Sequence, residues 1–301
     1  MSVRGGRCDV RAGRPLRLVG LPACQTGRMR ALFVLGKPAH RSPVIAEVME
    51  NLGDRGVSVG AVVPRAVTDD DGAWLVDDQL QRVGTQLGEA QLVAQRGLAP
   101  RVLRLLEPWA QRCCNDPVAT ALTHRRVDLL EVLGRAGVPV PSFDLVQDYD
   151  TARHHGGVLK AIDASAGRGA GVLLAGQAPH GPPFPGPYLV QQHLQGWEAK
   201  VYLFGDQVRA ARRPAGHQRG GEPYAPSAEH TAVARAAADA VGLDLCGVDL
   251  IITADGPVVI DLNAFPSATK IPGAARLIAD HLADHLAGQV ASRPVGPPRP
   301  G

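Results

Sequence analysis

Aromatic residues make up only 4% of this 301-residue chain, and its formal net charge is +3. A nucleic-acid platform needs stacking rings on a strongly basic surface, so neither nucleic acid nor a general polyanion is expected as a partner. Lysine is scarce too. The chain holds four, Lys37, Lys160, Lys200 and Lys270, and arginine supplies the rest of its 32 basic residues, so the position of each lysine is informative. The five cysteines form no CxxC pair and no even disulfide framework, which points to a reduced, cytoplasmic setting. No apolar run reaches the ~18 residues of a membrane span, so no membrane association is expected.

What is present is a 45% apolar composition, enough for two domains or one large composite domain. Residues 1–28 are Arg/Gly-rich and aperiodic. Arg17 and Pro22 interrupt the apolar part that a signal peptide would need, so the stretch reads as a disordered extension with Met29 as a candidate natural start. At the other end, 288–301 is a Pro/Gly tail that should not fold.

The pattern becomes regular from Met29, and 29–114 reads as an open α/β domain. "RALFVLG" is a strand, Ser42-Pro43 opens a helix to about Arg55 with Ser as its cap, and "GVSVGAVV" is a second strand. A polar loop with a short hairpin follows, then a strand at "AQLVAQRG" and a helix over 99–112. From 115 to 287 the organisation changes. Asn115-Asp116-Pro117 starts a helix expected to run to about Arg135 and to end at Gly137. Strands are expected at "GGVLKAID", after "ASAGRGAG", at "YLVQQHL" and on both sides of a Gly205-Asp206 turn, with helices over 227–241 and from Pro272 onward.

Two constellations carry chemistry. In "KAIDASAGRGAGV", Lys160 sits in an apolar strand, and Ser165, Gly167, Gly169 and Gly171 lie just beyond it. Glycines let backbone N–H groups approach a phosphate, and a lysine supplies charge; a mobile glycine hairpin without a ligand is the plain alternative. No Gly-Lys-Ser/Thr follows, and a strand rather than a helix comes next, which excludes two common phosphate-binding loops. The second constellation is "GVDLIITADGPVVIDLNAF". With a loop of three or five residues centred on Asp255, Asp249 and Asp261 face each other across a hairpin, and Asn263 lies on the same face as Asp261. Facing carboxylates repel unless a cation lies between them. That cation is either an oxygen-liganded Mg²⁺ or, in so arginine-rich a chain, a guanidinium.

Taken together and in this order, "NDP", "GVPVP", "LK" with "SAGRGAGV", "YLVQQHL", "EAKVYLFGDQVRAARR", "HQRGG" and "GVDLI…VVIDLNAFP" resemble the ATP-grasp superfamily, in particular its RimK-like and glutathione-synthetase-like ligases. The resemblance covers about 115–287 and implies an ATP-grasp fold, α/β in class (α+β in arrangement), with two subdomains that clasp ATP behind the N-terminal open α/β domain. It implies that Lys160 contacts ATP phosphates under a lid of Ser165 to Gly171, and that Gln191, Gln192 and Leu194 form the adenine linker, beside which Trp197 should pack. Asp249, Asp261 and Asn263 would be ligands of Mg²⁺, with Mn²⁺ as the alternative metal. Arg212 or Arg213, together with Arg219, would stand near the transferred phosphate.

The chain departs from the family pattern in four places. Arg126 stands where a second ATP-contacting lysine is usual, and arginine can hold a phosphate bidentately. Gln192 replaces the linker acid, "EAK" with Glu198 and Lys200 replaces "DIR", and Asp261 replaces the commoner glutamate. The implied activity is Mg-ATP-dependent ligation of a carboxylate to an amine through an acylphosphate. The substrates would be small molecules or a peptide or protein terminus, and homo-oligomerisation is left open. An ATP-grasp-type kinase acting on an alcohol or inositol phosphate, and a catalytically degenerate ATP-binding protein, are the alternatives. Lys270 and Arg276, beyond the acid hairpin, are candidates for substrate contact. His154-His155 reads as a solvated turn, and His281 with His285 as one face of a helix.

Overall fold

The computed structural model describes residues 30–64, 66–69, 72–75, 77–163, 172–174, 179–213 and 221–291. β1 (Arg30–Leu35) alternates strictly: Ala31, Phe33 and Leu35 enter one core, while Leu32 and Val34 enter another. Burial on both faces is what a parallel strand covered by helices requires. A 3₁₀ turn (Ala39–Arg41), α1 (Pro43–Asp54) and β2 (Ser58–Val62) complete a strand–helix–strand unit. Ser42 precedes α1, but its hydroxyl makes no capping bond; it accepts instead from Arg96 Nη1 at 3.4 Å. A small hairpin of β3 (Ala66–Asp69) and β4 (Gly72–Leu75) follows as expected. After it comes α2 (Asp77–Glu89), a helix that the polar sequence there had concealed. β5 (Leu92–Arg96) then pairs with β1, giving a parallel sheet of order β2-β1-β5.

The expected 99–112 helix is two pieces, α3 (Pro100–Arg104) and a 3₁₀ segment (Glu107–Arg112). The expected 115–135 helix is likewise divided, into α4 (Pro117–Leu122) and α5 (Arg126–Arg135). Asp116 caps α4 by accepting from the backbone N–H groups of Val118 and Ala119. The break has a tertiary cause: Arg126 N donates to Ile162 O at 3.0 Å, so the start of α5 is tied to a strand end of the next sheet.

That sheet is antiparallel, of order β6-β9-β7-β8. It contains β6 (Phe143–Val146), followed by α6 (Tyr149–His154), a short helix whose last residue is the first of the two histidines read as a turn. β7 (Val158–Ala161), β8 (Val172–Leu174) and β9 (Tyr188–Gln191) complete it. The third sheet, of order β12-β11-β10-β13-β14, joins β10 (Trp197–Phe204), β11 (Gln207–Arg212) and the short edge strand β12 (Glu222–Tyr224) to the later strands. α7 (Ala228–Val241) precedes β13 (Leu245–Thr253) and β14 (Gly256–Ala264), and α8 (Ala274–Ala291) closes the described chain.

One face of the five-stranded sheet is apolar. Ala199, Val201, Leu203, Val248, Leu250, Val259 and Leu262 pack there against Ala234, Ala237, Ala238 and Val241, a helical stripe on α7. The opposite face carries the polar residues described below and then runs into the core around α8. In that core Tyr202, Phe204, Leu245 and Phe265 meet Ile278 and Leu282 of α8 together with Ile45, Val48 and Leu52 of α1. The Gly205-Asp206 turn forms as expected, and a Cβ on Gly205 (φ +57°) would stand 2.6 Å from His281 Nδ1 on α8. No described helix is long and apolar enough to cross a membrane.

Asn115 fastens the sheets together. Its buried side chain donates to Leu245 O at 2.8 Å and accepts from Leu245 N at 3.1 Å and Asp244 N at 3.2 Å, while its carbonyl accepts from Gln95 Nε2 on β5. Asn115→Ala removes all three side-chain bonds, including the acceptor for the Asp244 and Leu245 N–H groups, while Leu245 O keeps its bond from Phe265 N. A loss of about 2–4 kcal/mol is expected, readable as a lowered urea midpoint.

Candidate active site

Cross-strand register places Lys200 of β10 opposite Asp249 of β13, and Asp249 opposite Asp261 of β14. One cation and two acids thus form a row across three strands on the polar face. The facing acids arise differently from the sequence expectation. The turn is of two residues, Ala254 and Asp255, between the paired Thr253 and Gly256, which alone would offset the acids by one position. A bulge restores them. The register shifts between Asp249 and Leu250, leaving Ile260 unopposed and Asp261 directly across from Asp249.

Electrostatic repair of this acid pair is local. Lys200 Nζ lies 2.7 Å from Asp249 Oδ2, and Asn263 Nδ2 donates to the same oxygen at 3.0 Å. Asp261 Oδ1 accepts from Leu262 N at 2.9 Å. Burial pushes the Asp261 carboxyl above its ordinary range and Asp249 adds to this; Lys160, Lys200 and Arg126 act the other way. For Lys200, burial works against the charged form, but the charge and hydrogen bond of Asp249 outweigh it, and the ammonium titrates above its usual value. The cation on Asp249 is therefore a lysine rather than the arginine that composition suggested. Gly247 makes its reach possible: a Cβ there would fall 2.7 Å from Lys200 Cε and 3.2 Å from Pro266 Cβ.

The four-stranded sheet supplies the other wall. Buried Lys160 on β7 donates to Ile260 O at 3.2 Å, using the carbonyl at the bulge. Its pKa is lowered, by burial first and by Arg126 too, with Asp261 opposing. Arg126, also buried, donates through Nη1 to Ala161 O at 2.7 Å, one residue beyond Lys160, so the helix break that sets α5 also brings this guanidinium to the lysine. On the sheet face that carries Lys160, register adds Val172 opposite it, and Leu174 and Gln191 opposite Val158. Val172 and Leu174 are 38% and 40% exposed, large for apolar side chains, whereas Gln191 is buried and its Nε2 has no hydrogen-bond partner.

The remaining candidates separate. Gln192 is fixed to the preceding extension, its backbone N–H donating to Ser142 O at 2.9 Å and its Oε1 accepting from Ser142 Oγ at 3.2 Å; Leu194 is half-buried. Arg213 follows β11 and bonds Glu198, side chain to side chain at 2.6 Å and backbone to backbone at 2.9 Å, two residues from Lys200. Arg212 pairs across from Ala199, on the apolar face, and meets Glu222 at 3.6 Å. Trp197 packs not on the linker but edge-on to Tyr224 and His230, at ring separations of 5.5 and 5.8 Å. Ser165, Gly167, Gly169, Gly171 and Arg219 lie outside the described residues. Sequence reasoning missed Gly247 and Ile260. The first was legible only as a glycine inside an apolar strand, and the second acts through its carbonyl and leaves no side-chain signal.

Because Asp261 is held above its ordinary pKa, its ionisation opposes folding when no metal is present. Asp261→Asn should therefore raise the Tm of metal-free protein at neutral pH by a few degrees, on the order of 1 kcal/mol. The gain should shrink as pH falls through the raised folded pKa and vanish below the ordinary carboxylate value, where the wild-type side chain is protonated in both states. Thermal melts across pH in a chelator check this.

Residues 189–286 match the family model described as the RimK-like ATP-grasp domain. A probable alpha-L-glutamate ligase of Shewanella loihica is 30% identical over 197 residues, covering 56% of this chain and 65% of that protein. Its Vibrio atlanticus counterpart is 29% identical with the same coverage, so the chain spans 65% of the length of these curated relatives. Among solved structures, a RimK domain ATP-grasp protein from Sphaerobacter thermophilus superposes with a TM-score of 0.63 at 18% identity, covering 85% of this chain and 98% of that one. The ATP-grasp ligase PsnB in complex with a precursor peptide and AMPPNP gives 0.60 at 22% identity, covering 87% and 98%. The D-alanine–D-alanine ligase of Bacillus anthracis complexed with ATP gives 0.62 at 12% identity, covering 88% and 98%. The chain thus has the ATP-grasp fold, and its residues 189–286 are similar to the RimK-like ATP-grasp domain.

Proposed function

We propose that the protein is an ATP-dependent carboxylate–amine ligase whose reaction is run between the two antiparallel sheets. The observation that carries this reading is the row Lys200–Asp249–Asp261, with Lys160 reaching it from the facing sheet. Such a cleft offers oxygen ligands on one wall and a buried cation on the other, the pairing that a metal-bound polyphosphate needs.

The donor set fits magnesium. Among the described residues no cluster of three His, Cys, Asp or Glu could hold a metal ion. Two carboxylates and an amide, completed by substrate phosphates and water, are instead the sparse oxygen set that Mg²⁺ accepts, and Mn²⁺ shares that preference. Asp249, Asp261 and Asn263 would hold the ion, which when bound neutralises phosphate charge. Asn263 and Asp249 are already oriented by their mutual hydrogen bond. Lys160 and Arg126 supply fixed positive charge beside the phosphates, and Lys200, released from Asp249 by a competing cation, adds a third. Exposed Val172 and Leu174 with the unmet Gln191 amide suit a purine ring, an apolar plane with polar edges. The substrate carboxylate attacks the γ-phosphate of ATP to give an acylphosphate and ADP. An amine then forms the amide and expels phosphate, with no nucleophile required from the protein. Relatives named as alpha-L-glutamate ligases and the peptide-bound PsnB structure make amino acids and peptide termini the first acceptors to assay.

Hydroxylamine trapping tests the reading. ADP release that depends on an added carboxylate, with hydroxamate accumulating, is the expected result; ADP release driven by a polyol without hydroxamate would instead identify a kinase. Lys160→Ala should lower Mg-ATP turnover by at least ~100-fold, the scale of losing a preorganised charge stabiliser. Full activity in that variant would remove Lys160 from the mechanism.

A further inference from the structure

The chain that leaves the acid hairpin adopts a conformation its sequence resists. Phe265 has φ +44°, a left-handed value rare for residues with a side chain, and it precedes Pro266, where extended backbone is the norm. Ala268 has the same φ. Strain of this kind persists only where the surroundings fix it, and three contacts fix Phe265. Its side chain is buried in the core shared with α8, its N–H donates to Leu245 O at 2.9 Å, and its carbonyl accepts from Arg96 Nε at 3.2 Å. The reversal turns Pro266 back over β13: a Cβ on Gly247 would lie 3.2 Å from Pro266 Cβ and 2.7 Å from Lys200 Cε. Gly247 is the register partner of Asn263, so the reversal seats the end of β14 that carries this amide.

Arg96 reaches this point from another sheet. It is the last residue of β5, half-buried, and its Nη1 also donates to Ser42 Oγ at 3.4 Å ahead of α1. One guanidinium thus joins the parallel sheet, the start of α1 and the peptide after the hairpin. The planar fork sets two donors at a fixed angle, which a single ammonium cannot do. The carbonyl it holds lies two residues beyond Asn263, whose Nδ2 donates to Asp249 Oδ2 at 3.0 Å.

We propose that Arg96 is a positioning residue for the metal-binding wall: it holds the Phe265 carbonyl, and through it the place of Asn263, so that the N-terminal α/β unit sets the affinity of the site for a divalent ion. The inference rests on the metal set of the proposed function and not on ligation itself. Mg²⁺ binding at saturating ADP, measured by calorimetry, is the main readout, with metal-free ADP binding and hydrogen exchange at the Phe265 amide beside it. R96M should weaken Mg²⁺ binding by about tenfold or more, the scale of removing a group that orients a metal ligand, and leave metal-free ADP binding unchanged. In metal-free protein it should also speed exchange at Phe265. R96K, which keeps one donor and the charge, should show both effects to a smaller degree, and it carries the test should R96M fail to fold. Arg112 is the control for a purely structural loss, since it donates to the carbonyls of Leu87, Gly88 and Ala90 in the same unit. R112M should cost stability with Mg²⁺ affinity unchanged. Wild-type Mg²⁺ affinity in the folded Arg96 variants, or an equal loss in R112M, overturns the proposal. A wild type that binds Mg²⁺ with ADP yet releases no ADP with any carboxylate overturns the ligase reading only, and the Mg²⁺ shift in R96M still decides for Arg96. No Mg²⁺ binding by wild type with ADP removes the metal assignment and this proposal together.

Discussion

Two carboxylates placed face to face on neighbouring strands are the constraint around which this site is arranged. Asp249 and Asp261 repel, and the sheet cannot separate them because the Ile260 bulge sets them directly opposite. Each surrounding feature answers that repulsion. Lys200 comes from the third strand, Gly247 leaves space for its stem, and Asn263 donates to the oxygen that Lys200 already contacts. Lys160 adds positive charge from a different sheet, and its bond to the bulge carbonyl ties the two walls of the cleft together. The result is an acid pair held by lysines from two sheets.

The choice of lysine in a chain that otherwise uses arginine has a physical reading. A guanidinium is a broad planar fork, best where it can grip two acceptors at fixed geometry. At the cleft's edge Arg213 bonds Glu198, and Arg126 is locked under the end of β7. At the centre, where a charge sits on one carboxylate oxygen, and under the proposed function would have to leave it, a compact ammonium on a flexible stem is better suited. Lys160, Lys200 and Lys270 account for three of the chain's four lysines, and all three lie along this face or reach across to it.

Much of this was legible in the sequence because the informative residues break their own local pattern. An acid within "GVDLIIT", an acid and an amide within "VVIDLNAF" and a lysine within "GVLKAID" each violate an apolar run, and all converge on one cleft. The polar excursion before β5 misled in the opposite direction: its short hairpin was expected, whereas the helical spacing of Leu80, Val83 and Leu87 in α2 was masked by the polar residues around them. The division of the 115–135 helix could not be read because its cause, the bond from Arg126 N to Ile162 O, joins residues 36 positions apart. The bulge was invisible for a related reason. A register shift depends on how two strands settle against their neighbours, and the Asp-Gly-Pro sequence was equally compatible with a longer loop.

The position of α8 bears on how such a chain can be assembled. Ala31, Phe33 and Leu35 of the first strand share a core with Ile278, Ala279 and Leu282 of this last helix, and Arg55 pairs with Asp280 across the same contact. During synthesis α1 can cover part of that face early, but α8, which completes the core, follows only after the 177 residues between Arg96 at the end of β5 and Ala274. The core that opens the described chain is thus completed by the helix that ends it, which ties the two ends into one folding unit.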